Sequence, residues 1–360
     1  MSDIMMGLCL IHVKAAYQHI TRLITILPVG VINPRKWRDE MKAVSYPQPG
    51  GPEVLQLVDI AEPEIKPNEL LVAVEAISIE GGDIISRNSQ RLQAGETLGY
   101  AAAGTILEVG AEVNEFVVGQ KVATFNWRGA YAERRAVAAY NCFPIPEGLD
   151  PRIAAAIPVG PGTAAWAIHL GKLQPGQTVL ILGAAGGVGM AAVQLASRLG
   201  ARVIGTGTRP ESLEKLRGFG LNDAIVVGEK QAGEQVRELL GGNKVDLLID
   251  TIGGDALPDG IEVLKDGGTA ILIGILAGRN QMIDAEYLLL HRITLIGCLL
   301  GPEWGEKAIA RELVNELMVM AAKRELIVPV DSTFPLEQVV EAHRRAETRG
   351  RLGRVFITVE

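Results

Sequence analysis

A glycine-rich turn at residues 183–189, GAAGGVG, has the residue types and the spacing to bind a dinucleotide. Ala184, Gly186 and Gly189 follow the pattern G-x-G-x-x-G, with alanine in the first position. A side chain at Gly186 would block a pyrophosphate, and one at Gly189 would push the following helix off the preceding strand. The alternative is a glycine-rich turn that binds nothing. The residues of this turn that are predicted to form the cofactor site are Ala185, Gly186, Gly187, Val188 and Gly189.

The end of the next predicted strand indicates which dinucleotide is bound. NAD enzymes place Asp or Glu about twenty residues past the motif, where it holds the ribose 2′-hydroxyl. The stretch 205–209, GTGTR, contains no carboxylate. Thr206, Thr208 and Arg209 can instead hold a 2′-phosphate, which the planar guanidinium binds well. We therefore predict NADPH, with the alternative that Arg209 is a solvated side chain and NADH is tolerated.

Strands and helices alternate after about residue 160, and this alternation positions the motif. Apolar segments typical of strands lie at 177–183, 201–207, 223–227, 244–251, 267–274 and 293–300. Helical patterns lie at 187–199, 211–219, about 230–240, about 304–323 and about 336–347, before a closing strand RVFITVE. Apolar strands separated by helices predict a parallel sheet covered on both faces, which is a doubly wound nucleotide-binding fold.

The preceding part of the chain has a different pattern. From Met41 to about Pro144, short strand-like runs lie between Pro and Gly turns, which predicts a small, mostly antiparallel barrel. Asp83 is predicted to cap a helix that starts at residue 84. Residues 1–40 are predicted to be an extension outside the fold, because charged residues and a proline interrupt their apolar blocks and no clean signal-peptide pattern is present.

Composition and charge exclude several classes of protein. The chain has 360 residues, of which 48% are hydrophobic and 21% charged, as in a soluble globular protein with room for two domains. The net charge of −7 weighs against nucleic acid as a partner. Cys9, Cys142 and Cys298 are far apart, which excludes a disulfide framework and a four-cysteine zinc site and favours the cytoplasm. The uncharged run 173–197 is broken by Pro175 and several glycines, so we predict no membrane span.

The order and spacing of the motifs over residues 41–360 resemble the medium-chain dehydrogenase/reductase superfamily, in its zinc-free branch of NADPH:quinone oxidoreductases. The matching segments are MKAVSY, VEAISIEGGD, LGYAAAGTILEVG, VGQKVATF, GAYAE, AAAIPVGPGTAA, LQPGQTVLILGAAGGVG, DTIGG and GRLGRVFI. The resemblance implies an α/β fold with a GroES-like β-barrel catalytic domain (41–162 and 300–360) and a Rossmann NADP(H)-binding domain (163–299).

The resemblance also carries further residues and a partner. The additional cofactor-binding residues that it implies are Thr163, Ile252, Gly274 and Arg354. It implies a homodimer through the segment ITLIGCLL at 293–300, since an apolar strand left bare at a sheet edge would be an aggregation hazard.

The zinc-ligand positions of the superfamily's alcohol dehydrogenases carry other residues in this chain. Those enzymes use a Cys, a His-Glu pair and a second Cys, and the matching positions are Glu80, Tyr100, Ala101 and Val159. One oxygen ligand is not a zinc site, so the resemblance implies a reductase without a metal. Hydride delivery to a quinone or enone creates a delocalised oxyanion, which a few hydrogen-bond donors can stabilise in place of a metal ion.

Glu80 stands where related quinone reductases usually carry Asn. If its carboxyl faces the nicotinamide and burial raises its pKa, it can donate a proton; the alternatives are that it points to solvent or pairs with an arginine. Tyr100 is predicted to donate to the substrate oxygen, or else to be a packed tyrosine. Trp127 and Tyr131 are predicted to line a flat pocket suited to an aromatic ring.

These residues predict an NADPH-dependent reductase of a small-molecule quinone or conjugated carbonyl. Two alternatives remain open at this point. One is reduction of an enoyl thioester or an aldehyde, and the other is a protein that binds NADPH without turnover, because an intact motif does not prove catalysis.

Overall fold

A computed structural model describes residues 40–228, 230–242 and 244–359. The predicted N-terminal extension lies outside the described residues except for Glu40, which begins the first strand.

The described chain divides into a first part made mostly of strands, an alternating second part and a C-terminal return. The elements up to residue 170 are β1 (Glu40–Ser45), β2 (Gln56–Ala61), β3 (Glu69–Ser78), α1 (Gly81–Ser89), β4 (Ala101–Val109), β5 (Lys121–Phe125), β6 (Arg134–Ala138), β7 (Cys142–Pro144), α2 (Pro151–Ala156) and α3 (Gly160–Leu170). The alternating part contains β8 (Thr178–Leu182), α4 (Gly187–Arg198), β9 (Arg202–Gly207), α5 (Pro210–Arg217), β10 (Asp223–Val226), α6 (Ala232–Leu240), β11 (Val245–Asp250), α7 (Ala256–Ile261), β12 (Leu264–Leu272), α8 (Ala285–His291) and β13 (Thr294–Gly297). The return contains α9 (Leu300–Glu306), α10 (Ala308–Ala322), β14 (Val330–Pro335), α11 (Val339–Glu347) and β15 (Arg354–Thr358).

The alternating part forms the predicted parallel sheet. Its strand order is β10-β9-β8-β11-β12-β13, and every neighbouring pair is parallel. Leu180, Ile181 and Ile249 on the central strands are fully buried, as expected for a sheet covered on both faces. Because β8 is parallel to both of its neighbours, the turn that follows it lies at the carboxyl edge of the sheet, where open α/β sheets bind their ligands.

The first part and the return share a second, mostly antiparallel sheet. Its order is β14-β15-β3-β4-β5-β7, with β6 also paired to β3, while β1 and β2 form a separate antiparallel pair. Phe356 on β15 lies opposite Ser78 on β3, and the N–H of Ile79 donates to the carbonyl of Val355 at 3.2 Å. This pairing brings Arg354, at the start of β15, beside the loop that follows β3. The boundaries of the two predicted domains remain predictions.

The structure corrects the boundaries of the segments around residue 300. The predicted strand 293–300 is shorter, because β13 ends at Gly297 and Leu300 already begins α9. The indole of Trp304 on α9 is buried and packs edge-on against Phe125 at 4.7 Å, which turns the chain away from the sheet. The predicted helix 304–323 is two helices, since Lys307 between them has an extended backbone.

The start of α1 differs from the prediction. The helix α1 begins at Gly81 rather than at residue 84, so Asp83 is its third residue and Glu80 holds the cap position. The prediction of Asp83 as the cap was therefore wrong.

Within the described ranges, none of the helices has the length and hydrophobicity needed to cross a membrane.

Candidate active site

The turn between β8 and α4 has the close packing that its glycines predict. Gly183 has φ +75°, in the left-handed region, and a Cβ there would come 2.6 Å from Oγ1 of Thr251. A Cβ at Gly189 would overlap the carbonyl of Gly183, so α4 can approach β8 only because residue 189 has no side chain.

Gly186 differs from these two glycines in how closely the protein packs around it, and this difference shows whether the turn has room for a phosphate. A Cβ there would meet only the carbonyl of Gly183, at 3.3 Å. Packing within the protein therefore does not require glycine as strictly at 186, and the missing side chain leaves space above the first turn of α4. The N-terminal N–H groups of this 12-residue helix border that space. The turn fits the pyrophosphate of a nicotinamide dinucleotide.

Two adjoining cavities continue from this turn. The first has a volume of about 480 Å³, within the ~300–1,000 Å³ usual for ligand pockets. Its walls include Gly183, Ala185, Gly186, Thr206, Ile252 and Ala277. The second shares Ala185, Gly186, Ile252 and Ala277 and extends past Thr208 and Arg209 to the loop 346–353. Together they form one cleft that runs from the turn to the loop 346–353.

The residues predicted to hold a 2′-phosphate lie in different environments. Thr206 is buried, and its Oγ1 accepts the N–H of Gly183 at 3.3 Å, so this side chain supports the turn. Thr208 and Arg209 are exposed at the wall of the second cavity. The guanidinium of Arg209 lies directly against Gly350 on the opposite wall, because a Cβ at Gly350 would overlap it.

The structure pairs Glu80 with Arg354. The side chain of Glu80 is 3% exposed, and its Oε1 accepts the hydroxyl of Ser78 at 2.8 Å and forms an ion pair with Nη2 of Arg354. Nη2 also donates to Oγ of Ser78 at 3.0 Å and to the carbonyl of Ile79 at 2.9 Å. Burial raises the pKa of the Glu80 carboxyl, while Arg354 and the Ser78 hydroxyl oppose this rise.

Arg354 also reaches the dinucleotide turn. A Cβ at Gly187 would overlap Nη1 of Arg354, so the guanidinium packs on the first residue of α4. One arginine therefore touches both the barrel loop that carries Glu80 and the helix terminus that fits a pyrophosphate. Sequence reasoning placed Arg354 at the cofactor and left open an arginine partner for Glu80, but it did not join the two.

Asp83 accepts hydrogen bonds from the backbone of both candidate catalytic residues, Glu80 and Tyr100. Its Oδ2 accepts the N–H of Glu80 at 2.9 Å and the hydroxyl of Tyr131 at 3.1 Å, and its Oδ1 accepts the N–H of Tyr100 at 3.0 Å. The carboxyl is fully buried, and burial raises its pKa to about 7. Asp83 thus fixes the backbone of both Glu80 and Tyr100, a role that the sequence analysis missed.

The aromatic candidates are divided between the surface and the core. Tyr100 is half-buried, with its hydroxyl 3.2 Å from Oγ of Ser86, and its ring meets Trp127 edge-on at 5.4 Å. Trp127 is 44% exposed. Tyr131 has no exposed surface, which argues against its predicted role in lining a pocket. Its physical role is to donate to Asp83.

A buried chain of hydrogen bonds extends from Tyr131 to Arg87. Nε2 of His343 lies 3.1 Å from the hydroxyl of Tyr131, and Nδ1 lies 2.8 Å from Nη1 of Arg87. Because the guanidinium can only donate, Nδ1 accepts and Nε2–H donates to Tyr131, which in turn donates to Asp83. Burial and the nearby guanidinium lower the pKa of His343 to about 3, so this histidine stays neutral. The isolated His343 gave no recognisable sequence motif.

The remaining predicted cofactor residues surround the turn. Thr163 lies on the first turn of α3, whose Gly160 faces Gly187 closely enough that a Cβ there would be 3.5 Å from the Gly187 carbonyl. Ile252 lines both cavities. A Cβ at Gly274 would overlap the carbonyl of Thr251, so packing alone accounts for that glycine.

The positions that match zinc ligands in the alcohol dehydrogenases contain the Glu80–Arg354 ion pair and the side chains of Tyr100, Ala101 and Val159. Across the part of the chain that the structure describes, His, Cys, Asp and Glu side chains do not form a group of three or more that could hold a metal ion.

Comparisons with known proteins match both sheets. A family model for the alcohol dehydrogenase GroES-like domain matches residues 66–147, and one for zinc-binding dehydrogenases matches residues 187–316. The human quinone oxidoreductase is 30% identical over 313 residues, which are 84% of this chain and 93% of the relative. A mycobacterial protein solved in complex with NADPH is 28% identical, with a TM-score of 0.81 over 88% of this chain and 99% of that one. A solved 2-haloacrylate reductase is 29% identical, with a TM-score of 0.80 over the same shares of the two chains.

Proposed function

Because the chain belongs to the medium-chain dehydrogenase/reductase superfamily, in its quinone-oxidoreductase-like branch, we propose that it is an NADPH-dependent reductase that transfers a hydride to quinones or conjugated carbonyls without a metal ion. The observation that carries the proposal is the contact of Arg354 with both the dinucleotide turn and the loop of Glu80. This contact places the buried carboxyl of Glu80 next to the predicted cofactor site.

The chain's own residues would hold the cofactor in the cleft. The first turn of α4 and the space above Gly186 fit the pyrophosphate. Arg209 and Thr208 are the proposed ligands of the 2′-phosphate, and Arg349 and Arg351 add positive charge to the same cavity. NADPH bound there would supply the hydride.

The proton of the reduction is assigned to Glu80, and Tyr100 is proposed to donate to the substrate oxygen. Reduction of a conjugated carbonyl adds a hydride to one carbon and a proton to the neighbouring carbon or to the oxygen. A buried carboxyl with a raised pKa suits the second step, because it keeps its proton to a higher pH than an exposed carboxyl does. Trp127 offers a flat, partly exposed surface for a planar substrate.

We also propose a homodimer and a cytoplasmic location. Strand β13 is the edge of the parallel sheet, and Leu295 and Leu299 at this edge are exposed. Pairing of β13 with its copy in a second chain would cover them and give a closed two-fold assembly. Light scattering at micromolar concentration should give the mass of a dimer, and a monomer would contradict this proposal.

The proposed activity is tested with a substrate panel. Loss of NADPH absorbance should be seen with a quinone and with an enone, and more slowly with NADH in place of NADPH. A simple aldehyde and an enoyl thioester serve as the competing substrates. Turnover confined to the aldehyde or the thioester would contradict the proposal, and cofactor binding without turnover on any substrate would favour a non-catalytic protein.

A further inference from the structure

The ion pair of Glu80 and Arg354 occupies the space between the barrel loop and the dinucleotide turn. The two side chains are 3% and 12% exposed, so water screens neither charge well. The guanidinium is not fully used, because Nε of Arg354 is buried and has no hydrogen-bond partner among the described residues. Its Nη1 packs on Gly187 at the terminus of α4. Arg354 is thus placed to serve an anion at that terminus as well as Glu80.

A pyrophosphate at the first turn of α4 would compete with Glu80 for this guanidinium. Phosphate oxygens and the planar fork of arginine form strong, often bidentate hydrogen bonds. A buried carboxylate that loses its cation takes up a proton rather than remain charged in a site of low dielectric.

We propose that the arrival of the dinucleotide draws Arg354 from Glu80 to the pyrophosphate, so that Glu80 takes up a proton and becomes the proton donor only when the cofactor is bound. This inference rests on the proposed function and adds to it the order in which hydride and proton donors are loaded. In this scheme Arg354 binds the pyrophosphate and thereby controls the protonation of Glu80, and Glu80 donates the proton.

The charges that face Glu80 favour this proton uptake. Arg354 on β15 and Arg351 on the preceding loop are the charged groups that lower the pKa of Glu80, together with the hydroxyl of Ser78, and both arginines lie beside the predicted cofactor site. Asp83 on α1 is a buried carboxyl that interacts with Glu80, and Tyr131 behind it is neutral and fully buried. Once phosphate engages the arginines, burial remains as the largest influence and raises the pKa of Glu80, opposed only by the hydrogen bond from the Ser78 hydroxyl.

The step balances over one catalytic cycle. Glu80 gains a proton from solvent when the dinucleotide binds. After the hydride adds to one carbon of the conjugated substrate, the O–H bond of Glu80 breaks and its proton forms a bond to the neighbouring carbon or to the oxygen. The carboxylate that results pairs again with Arg354 when the oxidised dinucleotide leaves.

Calorimetry of NADPH binding, without substrate, in buffers of different ionisation enthalpy tests this switch. We expect the unmutated protein to take up as much as one proton per NADPH bound, over the pH window between the free and bound pKa values of Glu80. Within that window the Kd should rise with pH, by up to about tenfold per pH unit for one linked proton. The 2′-phosphate of NADPH titrates near pH 6 as well, so the decisive quantity is the difference between the unmutated protein and Glu80→Gln.

The variants separate the switch from simple folding defects. Glu80→Gln should bind NADPH without the extra proton, while Asp331→Asn removes another largely buried carboxylate paired with an arginine, Arg345, and should keep it. Arg354→Met should lose most of the uptake, because Glu80 then has no cation to lose, and Arg354→Lys should retain part of it. NADPH that binds with no proton difference between the unmutated protein and Glu80→Gln at any pH overturns the switch and leaves the proposed function standing. Absence of NADPH binding overturns both.

Discussion

The dinucleotide turn, residues 183–189, and the charged loop, residues 78–83, are built on different physical principles. The dinucleotide turn, 183–189, is shaped by the absence of side chains, and its function depends on backbone N–H groups and on space. The loop and first turn at 78–83 are shaped by buried charge, with Glu80 paired to Arg354 and Asp83 accepting three hydrogen bonds. The dinucleotide turn suits the binding of a cofactor whose pyrophosphate does not change during the reaction. The charged loop suits a step in which a side chain holds a proton and then releases it.

The comparison predicts that substitutions in the dinucleotide turn and in the charged loop affect different quantities. In the turn, substitutions should change cofactor affinity or folding. At the charged loop, they should change rates and pH dependence while the cofactor still binds.

The largest expected effect is on the rate of enone reduction in Glu80→Gln. The amide keeps the size of the side chain but has no proton to transfer, and general acid catalysis contributes typically ~10²–10⁴-fold. We expect kcat for an enone to decrease by a factor within that range. The loss should be smaller on a quinone, because the hydroquinone anion can take its proton from water. Steady-state kinetics on both substrates provide the measurement.

Rates on both substrates within about twofold of the unmutated enzyme would assign proton delivery to water or to Tyr100 instead; such a change is negligible beside the effect of a true general acid. The quinone reaction is the internal control, because a folding or cofactor-binding defect would lower both rates together.

The next effect concerns Gly186 and Gly189, two glycines of the same turn. Val at 186 meets little protein but fills the space proposed for the pyrophosphate, so Gly186→Val should weaken NADPH binding by about 10- to 100-fold, as expected for a steric clash of ~1–3 kcal/mol. Its melting temperature should stay close to that of the unmutated protein. Fluorescence titration and thermal unfolding measure the two quantities.

Gly189→Ala is the matched variant. Its Cβ would overlap the Gly183 carbonyl, so it should lower the free energy of unfolding by ~1–3 kcal/mol whether or not cofactor is present. If the two variants had equal melting temperatures and equal affinities for NADPH, this would contradict the assignment of Gly189 to packing and of Gly186 to cofactor binding.

A smaller effect distinguishes the two dinucleotides. Arg209 is exposed at the cleft wall, and a hydrogen bond to a charged phosphate contributes ~1.5–3 kcal/mol, so Arg209→Ala should weaken NADPH by roughly 10- to 100-fold and leave NADH nearly unchanged. Arg217→Ala on α5 is the control, since that arginine is partly exposed and paired with Glu214. Equal affinities of the unmutated protein for NADPH and NADH would contradict the assignment of Arg209.

The dinucleotide turn was predictable because its determinants are local. The strand, the spacing of Gly186 and Gly189 and the following helix lie within a short stretch of sequence, and the parallel sheet follows from the alternation of strands and helices. The charged loop was predictable only in part. Its residue types were visible, but the partner of Glu80 is Arg354, on a strand that pairs with β3 only in the folded chain.

The errors have the same physical origin. Tyr131 is indistinguishable in sequence from a pocket aromatic, and only the three-dimensional packing places it against Asp83 and His343. The segment 293–300 is uniformly apolar, so its pattern could not show that the strand ends at Gly297 and that Leu300 turns inward onto the core.

The smallest effect tests the charged loop without any ligand, through the pH dependence of stability. Burial raises the pKa of Asp83 from 3.8 to about 7, so the folded state binds a proton more tightly at this residue than the unfolded state does. The contribution of Asp83 to stability is therefore fully present below pH 3.8 and is lost as the pH rises towards about 7. Over that interval the free energy of unfolding should fall by at most about 1.4 kcal/mol per pH unit from this group.

Asp83→Asn removes the titration, so the difference in unfolding free energy between the two proteins should shrink as the pH rises from 4 towards about 7. Urea denaturation at a series of pH values measures this slope. Asp331→Asn is the opposite case, because the Arg345 guanidinium lowers the pKa of Asp331 and its stabilising contribution is lost as the pH falls. Parallel pH profiles for the unmutated protein and Asp83→Asn would mean that the hydrogen bonds from Glu80, Tyr100 and Tyr131 keep Asp83 ionised. The charged loop would then hold a fixed carboxylate at Asp83, next to Glu80, and only Glu80 would gain a proton when the cofactor binds.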